Sequence, residues 1–410
     1  MSAAGTVTSA ELQALFNHPC IGQFNAASRH IFSQLHQCHT AAMGMHHYQC
    51  DDPSCNHLHQ QYHSCGHRSC LNCGGLKKEQ WIENLTAQLF PTSYYHVVFT
   101  VPHEFNSLML GNRKLLFKLL FDAASQTLLQ FAADPQHLGA VCGITSVLHT
   151  CLPRALSRGG QNLSFHPHVH CIVSGGGIKD GGWVKAKRTT ATFLFPVDAM
   201  KVVYKAIFLK MLRSLLNDGQ IKADDIDVVE QAIKKAGFKT WKVYAKAPFG
   251  GVASVIEYLG RYTHKTAISK YRISAITEHS VSFTYKDYAD GSRQKMMTLS
   301  KQEFLRRFEL HFLPRHFVKI RHYGFLQNHG KITRLNAVRK TMNLEPLPPL
   351  IIIPVAQRML EQYGTDISLC PQCKTGRLVL VFISYPVAAT TIQPKAEHRV
   401  GQRLRNKASP

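Results

Sequence analysis

The chain has 410 residues, enough for two or three domains that each bury a core. Its 48 lysines and arginines against 25 acidic residues give a formal charge of +23, spread along the chain, which points to a polyanionic partner. No window approaches the roughly 20 apolar residues of a membrane span, and no basic segment followed by an apolar stretch opens the sequence, so a cytoplasmic chain without membrane contact is expected.

In chain order, short helices are predicted over 10–16 and 26–35. Six of the twelve cysteines then crowd between Cys38 and Cys73. In a long chain without a leader that crowding points to metal rather than disulfides, and zinc is the default for thiolates. A helix over 76–90, carrying Trp81, Leu85 and Leu89, stops at Pro91 and marks a domain boundary. The β-branched and aromatic run 94–101 is a predicted strand, followed by a long helical stretch over 104–133 that Asp134-Pro135 ends. Strands are predicted over 140–148 and 163–173, a glycine-rich turn over 175–182, and a further strand over 192–195.

Helical patterns cover 198–216 and 223–236, and 241–245 is a strand candidate. A turn at 248–251 introduces a helix over 252–263, and strands over 267–273 and 281–285 form an antiparallel pair. Ser300-Lys-Gln-Glu303 has the form of a capping box opening a helix toward Phe312. The proline-punctuated segment 347–354 is a linker or edge segment, and Cys370-Pro-Gln-Cys373 with the β-like 377–382 forms a small unit. The stretch 393–410 is basic and poor in apolar residues, and disorder is expected there. Three parts follow: 1–90, 91–342 and 343–410, with a body of mixed α and β in which helices are inserted between strands.

Two motifs carry chemistry. A strand places alternate residues on one face, which aligns His166, His168 and His170. Pro167 cannot donate to a sheet ladder, so the regular strand is expected to begin after it, with Val169 in the core and His168 and His170 facing out as a metal pair. An isolated His-x-His is more often a surface strand; Phe165, Val169, Cys171 and Val173 on the opposite face favour a functional one. His149 is preferred over Gln161 as a third ligand. Downstream, Tyr258 and Tyr262 lie one helical turn apart, with Lys265 continuing that face. A phenol with a pKa near 10 is a poor nucleophile unless a metal or a cation such as Lys265 stabilises its developing charge. Taken alone, a Tyr-x-x-x-Tyr pair is ordinary helix packing; with the histidines and the basic charge it points to cleavage of single-stranded DNA.

Among the thiols, Cys50-x4-Cys55 and Cys70-x2-Cys73 supply two ligand pairs, enough for one tetrahedral zinc site. Cys38, His63, Cys65 and His67 are left over in the same stretch and either build a second site or are incidental. Cys370-x2-Cys373 is a half site, or a reduced pair in a hairpin.

These residues resemble the two-tyrosine HUH rolling-circle transposases of bacterial insertion sequences, specifically the insertion-sequence-ninety-one family. The likeness rests on His-Val-Val-Phe-Thr-Val-Pro at 96–102, Phe-His-Pro-His-Val-His-Cys-Ile-Val at 165–173 and Tyr-Ala-Lys-Ala-Pro-Phe-Gly-Gly at 244–251. It continues in Tyr-Leu-Gly-Arg-Tyr-Thr-His-Lys at 258–265 and Arg-His-Tyr-Gly at 321–324. The resemblance implies an α+β fold: an HUH endonuclease core, a central antiparallel sheet with flanking helices, preceded by a small Cys/His zinc-binding domain over Cys38 to Cys73. It implies His168 and His170 as metal ligands for Mg2+ or Mn2+, and Tyr258 and Tyr262 as nucleophiles that leave a 5′-phosphotyrosine and a free 3′ hydroxyl. Partners would be single-stranded or melted DNA at element ends and target, in a nucleoid-associated setting, with homo-oligomerisation left open. The alternatives are a plasmid or phage replication initiator or relaxase, and a non-catalytic zinc-dependent DNA-binding regulator. No Walker A loop is present, in keeping with chemistry that conserves the phosphodiester bond energy.

Overall fold

A computed structural model describes residues 7–73, 75–151, 162–186, 194–246, 249, 254–255, 267–287, 290–349 and 353–386. The chain forms two compact units, one from 1–38 with 65–365 and one from 39–64 with 366–410. Helices α1 (Ser9–Leu15) and α2 (Ala26–Gln37) belong to the larger unit, and strands β1 (Met45–Cys50) and β2 (Leu58–Tyr62) to the smaller. The larger unit then resumes with α3 (Gly75–Thr86), β3 (Tyr94–Thr100), α4 (Asn106–Gly111), α5 (Arg113–Ala133), β4 (Val141–Cys151), β5 (Phe165–Lys179) and β6 (Gly182–Lys185). It continues through α6 (Val197–Asn217), α7 (Ile226–Phe238), β7 (Val243–Ala245), β8 (Ile273–Ile276), β9 (Ser280–Asp287), β10 (Arg293–Ser300) and α8 (Lys301–Glu309). After β11 (Ile320–Gly324), α9 (Lys331–Thr341) and α10 (Val355–Tyr363), the chain re-enters the smaller unit for β12 (Leu378–Ser384). Among the described residues no helix is long and apolar enough to cross a membrane.

The larger unit is α+β, centred on an antiparallel sheet of order β11-β4-β5-β3-β7, with β6 paired to β5. Alternation sends Val97, Phe99, Leu148, Val169, Cys171 and Val173 to one face, where they pack into the main apolar core with α5 and α6. Tyr94 and Ile172 face the other way and pack with Leu85 of α3. A second core joins α1 and α2 to α8 and the β8-β9-β10 meander through Phe16, Phe32, Phe308 and Phe312. Beside it Glu309, 7 % exposed, accepts from the Ser28 hydroxyl at 2.6 Å and pairs with Arg113 at 3.3 Å, so its buried carboxylate is compensated.

Several boundaries differ from the sequence expectations for identifiable reasons. The 104–133 helix is interrupted at Asn112, whose side chain donates to the carbonyls of Leu108 and Lys222 and accepts from Lys222 N. Strand β5 starts before Pro167; the proline lies where the β4 register shifts between His149 and Cys151 and beyond the last β3 partner, His168, so no ladder donor is missed. The glycines at 175–177 continue the strand instead of turning, because a Cβ at Gly176 would lie 2.4 Å from the Trp183 ring and one at Gly177 2.6 Å from the Val141 carbonyl. The turn comes at Asp180-Gly181. Residues 267–272 precede β8, which begins only at Ile273, and the antiparallel pair is a three-stranded meander. Ser300 caps Glu303 N, but the Glu303 carboxylate bonds Arg306 and Arg307 instead of completing the box. Residues 192–193 of the expected strand and all but residues 254 and 255 of the helix over 252–263 fall outside the described residues, and residues 194–195 form no strand.

Gly324 ends β11 with φ +63°, and a Cβ there would lie 1.8 Å from the Cys142 carbonyl oxygen of β4. Gly324→Ala is therefore expected to cost roughly 3 kcal/mol or more, combining left-handed strain with a backbone clash. Urea denaturation checks this; a change under about 1 kcal/mol would show that the strand pair yields freely.

The smaller unit is a three-stranded sheet of order β12-β1-β2. Among its described residues only Gly44, Cys50, Cys370 and Gly376 are buried.

Candidate metal centre

Strands β4 and β5 place His149 directly opposite His168, with His170 two residues along the same face. The nitrogens that can serve as ligands lie within 4.8 Å of one another, so the structure brings these three predicted residues together. Each ring is nearly shut off from solvent: His168 is 0 %, His170 6 % and His149 8 % exposed. His168 and His170 lie on the face opposite Val169, as the pattern has it, but that face is buried rather than open to solvent.

Hydrogen-bond contacts bear on which nitrogen His168 and His170 offer. His168 Nδ1 is 2.8 Å from the His166 carbonyl, which can only accept, so Nδ1 carries the proton and Nε2 keeps its lone pair. His170 Nδ1 is 2.8 Å from His96 Nε2, with the two rings parallel to within 2°. With His170 Nδ1 as the donor in that contact, its Nε2 keeps a lone pair for a ligand role. The Nε2 atoms of His168 and His170 are 2.9 Å apart. Two nitrogens bound at about 2.1 Å on adjacent corners of an octahedral ion would be about 3 Å apart, so the donor set fits one shared cation. Burial, followed by the neighbouring His170 and His166, holds His168 well below the usual imidazole range; burial, followed by His96, Lys319 and Lys246, does the same for His170. Both rings are neutral near pH 7, the form that binds metal.

His96 has no role in the sequence reading beyond its place in a motif. Its alternation with Val98 and Thr100 puts it on the face of β3 that borders the histidines of β5, a signal available once the two strands are known to pair. Lys319, just before β11, adds positive charge near the triad, and burial brings its own pKa down to about 8.

The thiols group differently from the sequence expectation. Cys38, Cys65, Cys70 and Cys73 form one cluster, and Cys50, Cys55, Cys370 and Cys373 another. Cys50 and Cys55 thus do not share a site with Cys70 and Cys73. Cys38 follows α2 and accepts from Cys65 N at 3.3 Å, joining the 65–73 loop, whereas Cys50 ends β1, which pairs with β12 just beyond the 370–373 turn. In the first cluster the sulfur separations are 3.6 Å for Cys38–Cys70 and 3.7 Å for Cys65–Cys73. Tetrahedral zinc with bonds of about 2.3 Å requires about 3.8 Å between sulfurs, far from the ~2.05 Å of a disulfide. His63 and His67 join neither cluster: His63 Nε2 faces His46 Nδ1 at 2.9 Å, and His67 Nδ1 accepts from Ser69 N at 3.1 Å. Tyr258, Tyr262, Lys265 and Gln161 lie outside the described residues.

His311 supplies a separate pH signature. Its Nε2 donates to the Leu163 carbonyl at 3.1 Å and its Nδ1 accepts from the Thr150 hydroxyl at 2.9 Å, which specifies a neutral ring. Burial, against a favourable Leu163 contact, brings its pKa down to about 4 from the usual 6.5. The unfolded chain therefore binds the extra proton first; the stability contribution is complete above about pH 6.5 and is lost as pH falls toward about 4, up to about 3 kcal/mol. The stability gap between wild type and His311→Gln should narrow from pH 7 to pH 5 in urea titrations; a constant gap would show that His311 titrates normally.

Comparison with known proteins bears on the same residues. Residues 9–101 match the Zn_Tnp_IS91 family model, described as "Transposase zinc-binding domain", and residues 143–333 match Y2_Tnp, described as "Putative transposase". The chain is 37% identical over 374 residues to "Putative transposase y4qJ" of Sinorhizobium fredii (strain NBRC 101917 / NGR234), covering 88% of this chain and 90% of that protein. It is 29% identical over 357 residues to "Transposase for insertion sequence element IS801" of Pseudomonas savastanoi pv. phaseolicola, covering 85% and 82%. No solved structure matches the chain.

Proposed function

Since the chain belongs to the insertion-sequence-ninety-one family of transposases, we propose that it moves DNA by single-strand cleavage and rejoining through 5′-phosphotyrosine intermediates. The observation that carries this reading is the convergence of His149, His168 and His170 on one sheet face, within the same matched segment that contains Tyr258 and Tyr262. A divalent cation held by the three imidazoles would polarise the scissile phosphate, and neutral nitrogen donors suit Mn2+ better than Mg2+. One tyrosine hydroxyl attacks phosphorus; the bond to the 3′ oxygen breaks, that oxygen takes a proton, and the 5′ phosphate stays on the phenol. Lys265 assists loss of the phenolic proton. His96 and the His166 carbonyl hold the ligand rings in place, and Lys319 contributes positive charge where the phosphate would approach. The second tyrosine accepts the other strand end, so cleavage and rejoining alternate without a nucleotide triphosphate.

The test is a labelled single-stranded oligonucleotide from an element end, incubated with Mn2+ and resolved under denaturing conditions. A covalent adduct is expected, reduced by at least about 10³-fold in Tyr258→Phe/Tyr262→Phe, which removes only the hydroxyls. No adduct with any end sequence, or an undiminished one in the double variant, would exclude the mechanism and favour a DNA-binding regulator.

A further inference from the structure

We infer that Cys50, Cys55, Cys370 and Cys373 bind a second structural zinc ion, distinct from any held by Cys38, Cys65, Cys70 and Cys73. Two of these ligands lie beyond both matched family segments, which end at residues 101 and 333. The four sulfurs lie within 4.8 Å of one another, with Cys50–Cys373 at 3.7 Å and Cys55–Cys370 at 3.8 Å. Those are the separations of a tetrahedral thiolate site with zinc–sulfur bonds of about 2.3 Å.

The backbone is arranged around the sulfurs. Gly376 N donates to Cys373 Sγ at 3.3 Å, and Cys370 N donates to the Gly376 carbonyl at 2.8 Å, closing a tight turn about the second pair. A Cβ on Gly376 would lie 2.4 Å from Cys50 Sγ, so glycine is what lets this turn approach the first pair. Asp51 N donates to the Arg377 carbonyl and Arg377 N to Asp51 Oδ1, tying the two turns together from both sides.

A second, independent observation is that the described residues of this unit form no other interior. The only buried side chains among the described residues of this unit are Cys50 and Cys370, and Leu58, Val379, Leu380, Val381 and Phe382 of its sheet are exposed. A unit of this size cannot recover its chain entropy by burying apolar surface, and a metal is the usual staple. Zinc would supply that staple by joining β1 and β2 to the segment leading into β12. The Cys370-x2-Cys373 half site is completed by a partner pair more than 300 residues earlier in the chain.

Cadmium NMR of the full-length protein, refolded with cadmium under reducing conditions, tests this directly because tetrathiolate sites resonate apart from imidazole sites. Two tetrathiolate resonances are expected, and Cys370→Ser/Cys373→Ser should lose one and keep the other. A single tetrathiolate resonance in wild type, or both retained in the double variant, would overturn the inference. So would a disulfide among these four cysteines in protein alkylated before any reduction. Should the double variant fail to fold, the wild-type count alone decides.

Discussion

With His168 and His170 both changed to alanine, cleavage of a single-stranded end falls by at least about 10³-fold, while affinity for the same oligonucleotide stays within about threefold. The split follows from where the energies lie. Binding a polyanion to a chain of charge +23 is dominated by phosphate contacts and counterion release, to which two buried neutral imidazoles contribute little. Under the proposed mechanism, cleavage needs charge stabilisation at the phosphate itself, which would be lost with these two imidazoles. Because His168 is fully buried, a thermal melt of the variant accompanies the assay. His96→Phe keeps a ring beside His170 but removes the nitrogen 2.8 Å from its Nδ1. It should weaken metal affinity about 10- to 100-fold and be rescued by excess Mn2+. Equal loss of binding and cleavage in the histidine pair, with an unchanged melt, would mean that the triad holds DNA rather than the reacting phosphate.

Cys38→Ser should lower the melting temperature by roughly 10 °C or more and abolish one equivalent of bound zinc. Cys38 is 0 % exposed and packs in the same core as Leu12, Phe32, Phe308 and Phe312, so the sulfur cluster is continuous with the apolar interior of the larger unit. Amides of Cys65, His67 and Asn72 point at the sulfurs of Cys38, Cys65 and Cys70. Structural zinc contributes on the order of 10 kcal/mol in small domains, comparable to the whole stability of a typical fold. A serine oxygen is a poor replacement for a thiolate and leaves a buried hydroxyl. Calorimetry and metal analysis check the result, and a shift under about 2 °C would show that the core, not the metal, organises this region.

Much of the larger unit was legible because its strongest signals are local. The run at 94–100 is β-branched and aromatic, and the pattern at 113–133 is helical over its full length. The histidine strand was legible for the same reason: alternation alone separates Val169 from His168 and His170. What failed were features decided by distant neighbours. Three glycines normally mark a turn, and only the packing of Trp183 and Val141 against them explains a strand. Pro167 normally bars a sheet interior, and only a register shift in β4 admits it. Cysteine spacing gives pairs but not partners, so spacing alone assigns Cys50 and Cys55 to the nearest pair in sequence. Their true neighbours depend on β1 and β12 lying side by side. The place of His96 is not legible in the sequence because it exists only once β3 is set beside β5.

The discontinuous smaller unit also sets a clock. Cys55 and Cys370 are separated by 315 positions, and at about 5–20 residues per second a ribosome needs about 15 to 60 s to travel between them. Throughout that interval the 39–64 segment is made without β12, the strand that pairs with the other edge of β1. A chain cut short before residue 370 by a premature stop would never complete the unit, however well its larger body had folded. Completion of the smaller unit thus reports that translation has passed residue 384.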